Sequence, residues 1–319
     1  MLNIWRQSLC LILVPALLSP ALADAEPLDD AASDPNTMGW MRGFPPPDER
    51  IIGHPASDYF SFPKLRWTFC HFREIQATKR VGRGIGPVSP LSGVLDPAID
   101  DVTFMPIGSD EEMTWKASLD ANYTDGMLIL HRGEIVYEYY SGCLDREGRH
   151  GAMSVTKSFV GTIAEILIAE GELDDSKLVS DYVPELKSSA FGNATVRQVM
   201  DMTTGLDYNE NYADPESDIW LYAAAGDPTP KPESYAGPRN FYEFLQGVKP
   251  EGTHGEAFIY KSINTDALAW VIARATGKDF IEHLSERIWK PLGMEQEADM
   301  MIDSLGTPFS AGGLNLSLR

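Results

Sequence analysis

The sequence is poor in basic residues. It has 26 Lys and Arg against 47 Asp and Glu, which gives a formal net charge of −21 over 319 residues. Such a charge repels nucleic-acid phosphates and anionic lipids, and no local basic cluster offsets it. The composition therefore argues against nucleic acid as a partner, and we interpret the acidic balance as a source of solubility.

Several catalytic signatures are missing as well. There is no G-x-S-x-G elbow, no H-E-x-x-H, no P-loop and no G-x-G-x-x-G after a strand. The six histidines are scattered and form no metal-site spacing with cysteine, so we predict no metal and no cofactor. A Ser-His-Asp triad stays open, because such triads assemble from distant positions.

Long apolar runs are scarce, and the most apolar one opens the chain. Residues 1–23 combine a single charge at Arg6, an apolar run over 9–18 and small residues at 21–23, which is the pattern of an export signal. Pro15 interrupts the run, which is shorter than the roughly 20 residues that span a bilayer. We expect cleavage after Ala23, an exported protein that is periplasmic or secreted, and no stable membrane insertion afterwards.

Cysteine is rare. Of three cysteines, Cys10 lies in the expected signal, which leaves Cys70 and Cys143 in a compartment that permits disulfides. The sequence alone allows either a bonded pair or two separate thiols, because it does not give the distance between their Cα atoms.

The chain that remains is globular in composition, with 43% hydrophobic residues and no repeat at a fixed period. Residues 24–120 are rich in Pro, Gly and Asp and are interpreted as an irregular covering segment. Residues 121–319 are interpreted as one catalytic domain. It opens with two β-rich runs within 126–142, joined at Arg132-Gly133, which predicts an antiparallel hairpin.

A helix is predicted directly after the hairpin. In "MSVTKSFVGTIAEILIAEG" the apolar positions 155, 159, 163, 166 and 167 share one face, and Gly171 gives a stop. Ser154 falls at the helix start and Lys157 one turn later, so the hydroxyl and the amine lie on the same side.

That geometry suits nucleophilic catalysis. A serine hydroxyl needs a base to take its proton, and a lysine can act as that base when its charged form is disfavoured, for example by the positive end of a helix. The same helix start offers backbone N–H groups, that of Ser154 among them, to the oxyanion of an attacked carbonyl. A surface helix cap is the alternative interpretation of Ser154.

The sequence contains a second S-x-x-K at Ser61 to Lys64. Pro63 and its Pro-rich surroundings make a helix improbable there, so the hydroxyl of Ser61 and the amine of Lys64 need not face each other.

A further element is "FIYKSINTDALAWVIARATGK", residues 258–278. Tyr260 and Ser262 precede a helix predicted to begin near Asn264 or Thr265 and to stop at Gly277. A phenol beside an ammonium can serve as a base toward a serine and then as an acid toward the leaving group. Taken alone, Tyr260 also fits a packing role.

Together these segments resemble the β-lactamase and penicillin-binding superfamily, in particular its class C-like serine hydrolases and the 6-aminohexanoate-dimer hydrolases. The segment from 154 is similar to the family's nucleophile helix, "ATVRQVMDMTTGLDYNENY" to its next helix and substrate loop, and "YKSINTDALAWVIARATGK" to its Tyr motif. "MRGFPPPDER" and "LRWTFCHFREI" resemble the amino-terminal part of that subgroup.

The resemblance implies roles for individual residues. Ser154 would be acylated, Lys157 would activate it, and Tyr260 would share proton transfer with Lys157. Ser262 takes the third position of the Tyr motif, where many relatives have Asn, and this fits the amide-hydrolase branch. The remaining implied substrate-binding residues are Tyr212 and Asp214, as parts of a loop that closes over substrate, and Asn315, which would line the pocket or form a turn.

One family motif is missing. A third motif of Lys-Thr-Gly type lies on a carboxy-terminal strand of such proteins, and this chain ends at "AGGLNLSLR" without it. The resemblance implies that several strands of the sheet are missing, together with one oxyanion donor.

The expected fold is α/β and β-lactamase/transpeptidase-like. We expect an antiparallel sheet built around the 126–142 hairpin and flanked by helices, a mainly helical lobe from about 154 to 300, and an active site between them. The expected function is cofactor-free hydrolysis of a small amide, ester or lactam through an acyl-enzyme on Ser154. The alternatives are a β-lactamase or a D-alanyl-D-alanine carboxypeptidase or esterase, a catalytically inactive binding or sensor homologue, and a shortened chain without a stable fold. The oligomeric state stays open.

Overall fold

The computed structural model describes residues 27–53 and 57–319. The expected export signal, residues 1–23, lies outside these described residues. Within them, no helix combines the length and the apolar character that a membrane span requires.

The helices are unevenly distributed, because most of them follow Ser154. In chain order they are α1 (Asp30–Ser33), α2 (Pro35–Met38), α3 (Lys64–Ile75), α4 (Trp115–Ala121), α5 (Val155–Ala169), α6 (Val179–Tyr182), α7 (Val196–Met200), α8 (Asp218–Gly226), α9 (Phe241–Gly247), α10 (Ile263–Thr276), α11 (Phe280–His283) and α12 (Lys290–Leu292). A π-helical stretch, Leu284–Trp289, joins the last two.

The strands are short and pair only in antiparallel fashion. They are β1 (Thr78–Val81), β2 (Thr103–Phe104), β3 (Met113–Thr114), β4 (Gly126–His131), β5 (Glu134–Tyr140), β6 (His150–Gly151), β7 (Leu206–Asp207), β8 (Lys249–Pro250), β9 (Ala298–Met301) and β10 (Leu314–Leu316). Four of them form the largest sheet of the described residues, in the order β1-β9-β10-β6.

This sheet joins distant parts of the chain immediately before α5. Thr78 of β1 pairs with Met301 of β9, and Asn315 of β10 pairs with Gly151 of β6. Since β6 ends three residues before Ser154, the sheet determines where the chain enters α5.

The hairpin prediction is confirmed, but its expected place in the sheet is wrong. β4 and β5 pair over their full length, and the turn residues Arg132 and Gly133 have φ of 54° and 83°. A left-handed backbone at both positions is what a tight hairpin turn requires. The hairpin is a separate two-stranded sheet, however, because β10 directs its backbone hydrogen bonds to β9 and β6 instead.

The helix predicted directly after the hairpin, α5, is also confirmed. Its buried residues, Val160, Ile163, Ala164 and Leu167, recur at helical spacing, and each is completely buried in the main core. Full burial of a valine, isoleucine or leucine side chain stabilises the fold by roughly 1.5–3 kcal/mol. The residues from 154 to 300 form the expected helical lobe, whose central member is α10, and α10 packs against α5 and α7.

The amino-terminal segment, expected to be irregular, contains α3 and the sheet strand β1. Our expectation that the second S-x-x-K lies outside a helix is wrong in part. Helix α3 begins at Lys64, because Pro63 takes the cap position, where the missing N–H of a proline costs nothing. The Lys64 ammonium pairs with Asp58 at 2.5 Å, and in the described structure no hydrogen bond joins it to Ser61.

The alternative left open for the two cysteines is resolved in favour of a bond. Cys70 in α3 and Cys143 after β5 form a disulfide, with their Cα atoms 5.9 Å apart. The bond fastens α3 to the end of the hairpin. On the same side of α3, Arg66 is almost fully buried and pairs with Asp30 at 2.8 Å.

Candidate active site

Ser154 occupies the cap position at the start of α5. Its side chain makes no capping hydrogen bond, and the residue is exposed, so the hydroxyl is free for other contacts. The preceding residue, Met153, has a φ of 44°, which a side-chain-bearing residue adopts only at a cost of about 1 kcal/mol or more. Such backbone strain is common at functional sites, and here it presents the serine at the turn between β6 and α5.

Lys157 lies one helical turn after Ser154 and is half-buried. Its Nζ donates to Ser154 Oγ at 3.0 Å and to the backbone carbonyl of Ala311 at 2.7 Å. The carbonyl comes from the turn before β10, so the lysine is held between its own helix and a segment 154 residues away.

Tyr260 approaches the same oxygen from the other side. Its Oη donates to Ser154 Oγ at 2.8 Å, and the Lys157 Nζ lies 5.0 Å from the centre of its ring. The loop that carries Tyr260 is fastened at two points, by the Ile259 N–H to the Met202 carbonyl and by the buried Lys261 ammonium to the Leu206 carbonyl. Three residues predicted from the sequence therefore meet at one oxygen atom.

The start of α5 also offers a donor for an oxyanion. The N–H groups of Val155, Thr156 and Lys157 bond to preceding carbonyls. That of Ser154 donates to no atom of the described residues. A free N–H at the positive end of a helix is suited to stabilise the negative oxygen of a tetrahedral intermediate.

Ser262 and Tyr212 are brought together by Glu210, which was not identified from the sequence. One Glu210 oxygen accepts from the Ser262 Oγ and from the Tyr212 Oη, both at 2.6 Å, and the other accepts from the Ser262 N–H at 2.7 Å. Burial and the Glu210 charge raise the pKa of Tyr212, so its phenol stays protonated. The carboxylate thus links the substrate loop to the start of α10.

The other two predicted substrate-binding residues lie elsewhere. Asp214 stabilises the turn of its own loop, because its carboxylate accepts a hydrogen bond from the Glu216 N–H at 3.0 Å. Asn315 is buried within β10 and donates to the Gly313 carbonyl at 2.9 Å, so it neither lines an open pocket nor forms a turn. Its place in the ladder between β9 and β6 explains this burial.

Asp266 is a second acidic residue that the sequence interpretation missed. It lies in α10 and is almost completely buried, and its carboxyl accepts from the Ser310 N–H at 2.8 Å and from the Tyr222 hydroxyl. Burial raises the pKa of Asp266 to about 7. The sequence did contain a signal for this residue, which is an acidic side chain within the apolar run "INTDALAW". Acidic side chains are rarely buried unless they have a charged or hydrogen-bonding partner, so such a position indicates a specific contact.

The three grouped residues lie at the surface, with Tyr260 43% exposed. Cavities of about 370 and 500 Å³ lie elsewhere, beside Tyr123 and beside Trp67, and Ser154 lines neither of them. Among the described residues, no group of His, Cys, Asp and Glu could hold a metal ion. The arrangement itself consists of an exposed serine hydroxyl, an amine and a phenol that both contact it, and a free N–H.

The chain is similar to known proteins over most of its length. The family model described as Beta-lactamase matches residues 121–296. The chain is 36% identical over 270 residues to the 6-aminohexanoate-dimer hydrolase of Paenarthrobacter ureafaciens, which covers 84% of this chain and 65% of that enzyme. A shorter match, 45% over 53 residues, is to a beta-lactamase of Providencia stuartii and covers 17% of this chain and 14% of that one.

A solved structure is similar over most of the described residues. It is a Bacillus anthracis protein described as a candidate 6-aminohexanoate-dimer hydrolase, with 32% identity and a TM-score of 0.75. The match covers 82% of this chain and 68% of that one. In comparison, the chain spans slightly less than two thirds of the length of the Paenarthrobacter relative.

Proposed function

The chain belongs to the beta-lactamase family, as its motifs predicted, and on this basis we propose that it cleaves a small amide through an acyl-enzyme on Ser154. The family and the mixed helix and antiparallel-sheet fold are those expected from the sequence. The proposal depends chiefly on one observation, which is that Lys157 and Tyr260 both contact the Ser154 oxygen, at 3.0 and 2.8 Å.

The first half of the reaction transfers the acyl group. Ser154 Oγ attacks the carbonyl carbon, and its proton passes to the group formed by Lys157 and Tyr260. The Ser154 N–H stabilises the oxyanion. When the C–N bond breaks, the departing amine takes a proton from Tyr260, and an ester on Ser154 remains.

The second half restores the enzyme. A water molecule attacks the ester carbonyl and gives a proton to the same pair of residues. The bond to Ser154 Oγ breaks, the serine is protonated again, and a carboxylic acid leaves. No redox change and no cofactor is involved, so the protein needs to supply only the nucleophile, the proton carriers and the oxyanion donor.

An amide substrate is favoured by the Tyr motif and by the relatives. Ser262 stands where many class C-like relatives have Asn, and both the Paenarthrobacter and the Bacillus relatives are described as 6-aminohexanoate-dimer hydrolases. Esters and lactams share the reacting carbonyl. A panel of a linear amide dimer, a nitrophenyl ester and a cephalosporin therefore separates an amidase from an esterase or a β-lactamase.

Intact-mass analysis after incubation with a fluorophosphonate tests the nucleophile directly. We expect one adduct per chain, abolished in Ser154→Ala and retained in Ser61→Ala, which changes the other S-x-x-K. If the wild type is folded by circular dichroism but forms no adduct, the proposal is wrong and an inactive binding homologue is favoured.

We further propose that the protein is exported to the periplasm or secreted. The signal-like pattern of residues 1–23 supports this, as does the disulfide between Cys70 and Cys143, since disulfides persist in oxidising compartments. Cell fractionation of the full-length chain, with N-terminal sequencing of the product, tests it. An uncleaved product in the cytoplasm would contradict it.

A further inference from the structure

The buried carboxyl of Asp266 is joined to the catalytic lysine by a short series of contacts. Asp266 lies in the first turn of α10 and accepts from the backbone N–H of Ser310 at 2.8 Å. The Ala311 N–H faces the same carboxyl. The carbonyl of Ala311 then accepts from Lys157 Nζ at 2.7 Å. One carboxyl therefore binds the two peptide groups that directly precede the one whose carbonyl binds the ammonium.

The other oxygen of the carboxyl is occupied too. It accepts from the hydroxyl of Tyr222, which lies in α8 and is almost fully buried. Because both oxygens are engaged by groups on different elements, the carboxyl cannot rotate without losing a hydrogen bond. The charged and titratable groups that act on it are Lys157 from α5 and Tyr222 from α8. Tyr208, which follows β7, makes no hydrogen bond to it, although the Asp266 charge contributes to raising the pKa of that phenol.

We propose that Asp266 is a positioning residue for Lys157, holding the Ala311 carbonyl at the distance that keeps the lysine amine on Ser154. The inference depends on the proposed function, because it assumes that Lys157 takes part in acylation. Asp266 itself touches neither Ser154 nor the space where substrate reacts.

The physical reason lies in the lysine side chain. Four rotatable bonds separate Nζ from the backbone, and holding such a chain in one rotamer costs conformational entropy. A fixed carbonyl at 2.7 Å selects the rotamer that reaches Ser154 Oγ. Misplacement of a reacting group by about 1 Å can reduce a rate 100-fold, so a small shift of the Ala311 peptide is enough to matter.

The chain contains a matched control in Asp303. This carboxylate is also buried and also binds backbone N–H groups of the same region, those of Leu305 at 2.9 Å and Thr307 at 2.8 Å. Another N–H comes from Phe241 at 3.1 Å. None of these groups contacts Lys157, so Asp303→Asn disturbs a buried backbone anchor without disturbing the lysine.

The experiment compares the pre-steady-state acylation of Asp266→Asn, Asp303→Asn and the wild type by a nitrophenyl ester, across pH 5–10. The amide that replaces the carboxyl has an NH₂ group in place of one oxygen. This group cannot accept the hydrogen bond from the donor that faces it. We expect the acylation rate constant to fall about 10- to 100-fold in Asp266→Asn, with the ester KM changed by less than about threefold. The inflection near pH 7 that titration of Asp266 gives to the wild-type pH–rate profile should be absent from Asp266→Asn. Asp303→Asn should keep the wild-type profile.

A second pair of variants, with smaller changes, allows the same test if Asp266→Asn does not fold. Tyr222→Phe removes one donor to the carboxyl, whereas Tyr208→Phe removes a buried hydroxyl that has no hydrogen-bond partner in the described structure. We expect acylation to slow about three- to tenfold in Tyr222→Phe only, as one hydrogen bond of about 1 kcal/mol is lost.

The outcomes are distinguishable. If the wild type is not acylated, the proposed function fails. If the wild type is acylated and Asp266→Asn behaves like Asp303→Asn in rate and pH profile, the positioning role is wrong while the function stands. If Asp266→Asn does not fold, equal rates in Tyr222→Phe and Tyr208→Phe overturn the inference, and a slower Tyr222→Phe supports it.

Discussion

The hydroxyl of Tyr260 donates to Ser154 Oγ at 2.8 Å, although the two residues are 106 positions apart in the chain. This contact places a phenol where it can exchange a proton with the nucleophile. Tyr260 belongs to a loop and is 43% exposed, so its hydroxyl contributes little to stability.

Replacement of this phenol should separate chemistry from folding. We expect Tyr260→Phe to lower kcat/KM about 10²- to 10⁴-fold, the range of a lost general acid–base group, with the melting temperature unchanged. Steady-state hydrolysis of an amide dimer and differential scanning calorimetry give the two values. Tyr242→Phe, which alters a tyrosine stacked on Trp270, is the control and should retain activity. A Tyr260→Phe enzyme of normal rate would exclude the phenol from proton transfer.

Lys157→Met should remove the amine while it keeps much of the side-chain volume. We expect acylation to slow by about 10² or more, because Ser154 loses a proton acceptor and the Ala311 carbonyl loses its donor. Burst kinetics with a nitrophenyl ester measure this rate. Lys64→Met alters the lysine of the other S-x-x-K, which pairs with Asp58, and should leave the burst intact. A comparable loss in both variants would contradict a specific role for Lys157.

Glu210 is expected to act on substrate binding more than on chemistry. Glu210→Gln keeps the shape but replaces one acceptor oxygen, so the contacts to Ser262 and Tyr212 weaken. We expect KM to rise about 3- to 10-fold and kcat to change by less than about threefold, equivalent to roughly 1 kcal/mol of binding. Michaelis–Menten measurements with an amide dimer test this. Glu216→Gln, in the same loop, should leave both constants unchanged, and an unchanged KM in Glu210→Gln would refute the prediction.

The disulfide should stabilise the fold without serving the chemistry. It joins residues 73 positions apart, for which the chain-entropy model gives about 4 kcal/mol. We expect the double variant Cys70→Ser, Cys143→Ser to lose about 2–5 kcal/mol of unfolding free energy in urea and to keep kcat wherever it is folded. Reductant should lower the stability of the wild type but not of the variant. A kcat that falls under fully folded conditions would show that the bond also shapes the site.

Asp266 should make stability depend on pH. Its pKa is about 7 in the folded protein, against an ordinary value of 3.8, so between these values the folded state holds a proton that the unfolded state has released. The free energy of unfolding from this group is therefore largest below about pH 4 and falls as the pH rises through 7. Asp266→Asn should flatten that slope, as measured by urea denaturation at pH 4, 5.5, 7 and 8. Equal slopes in both proteins would contradict it.

The local parts of the fold were predictable. The hairpin turn at 132–133, the start of α5 at Ser154 and the stop of α10 at Gly277 all follow from a few neighbouring residues. Backbone preference and hydrophobic spacing act over one or two turns of chain, which is the range that a sequence pattern covers. The order of the main sheet was not predictable, because β1, β9 and β10 are too short for their pattern to select a partner.

The sequence by itself determined that a serine and a lysine share one face of a helix start, because i, i+3 spacing on a helix allows no other arrangement. Only the tertiary structure decided what surrounds them. Tyr260 contacts Ser154, and the Ala311 carbonyl contacts Lys157. The carboxyl of Glu210 binds Ser262, and that of Asp266 binds the Ser310 N–H. These contacts join segments that are distant in the chain. Their geometry is set by how α5, α10 and the turn before β10 pack together, and no local pattern records that packing.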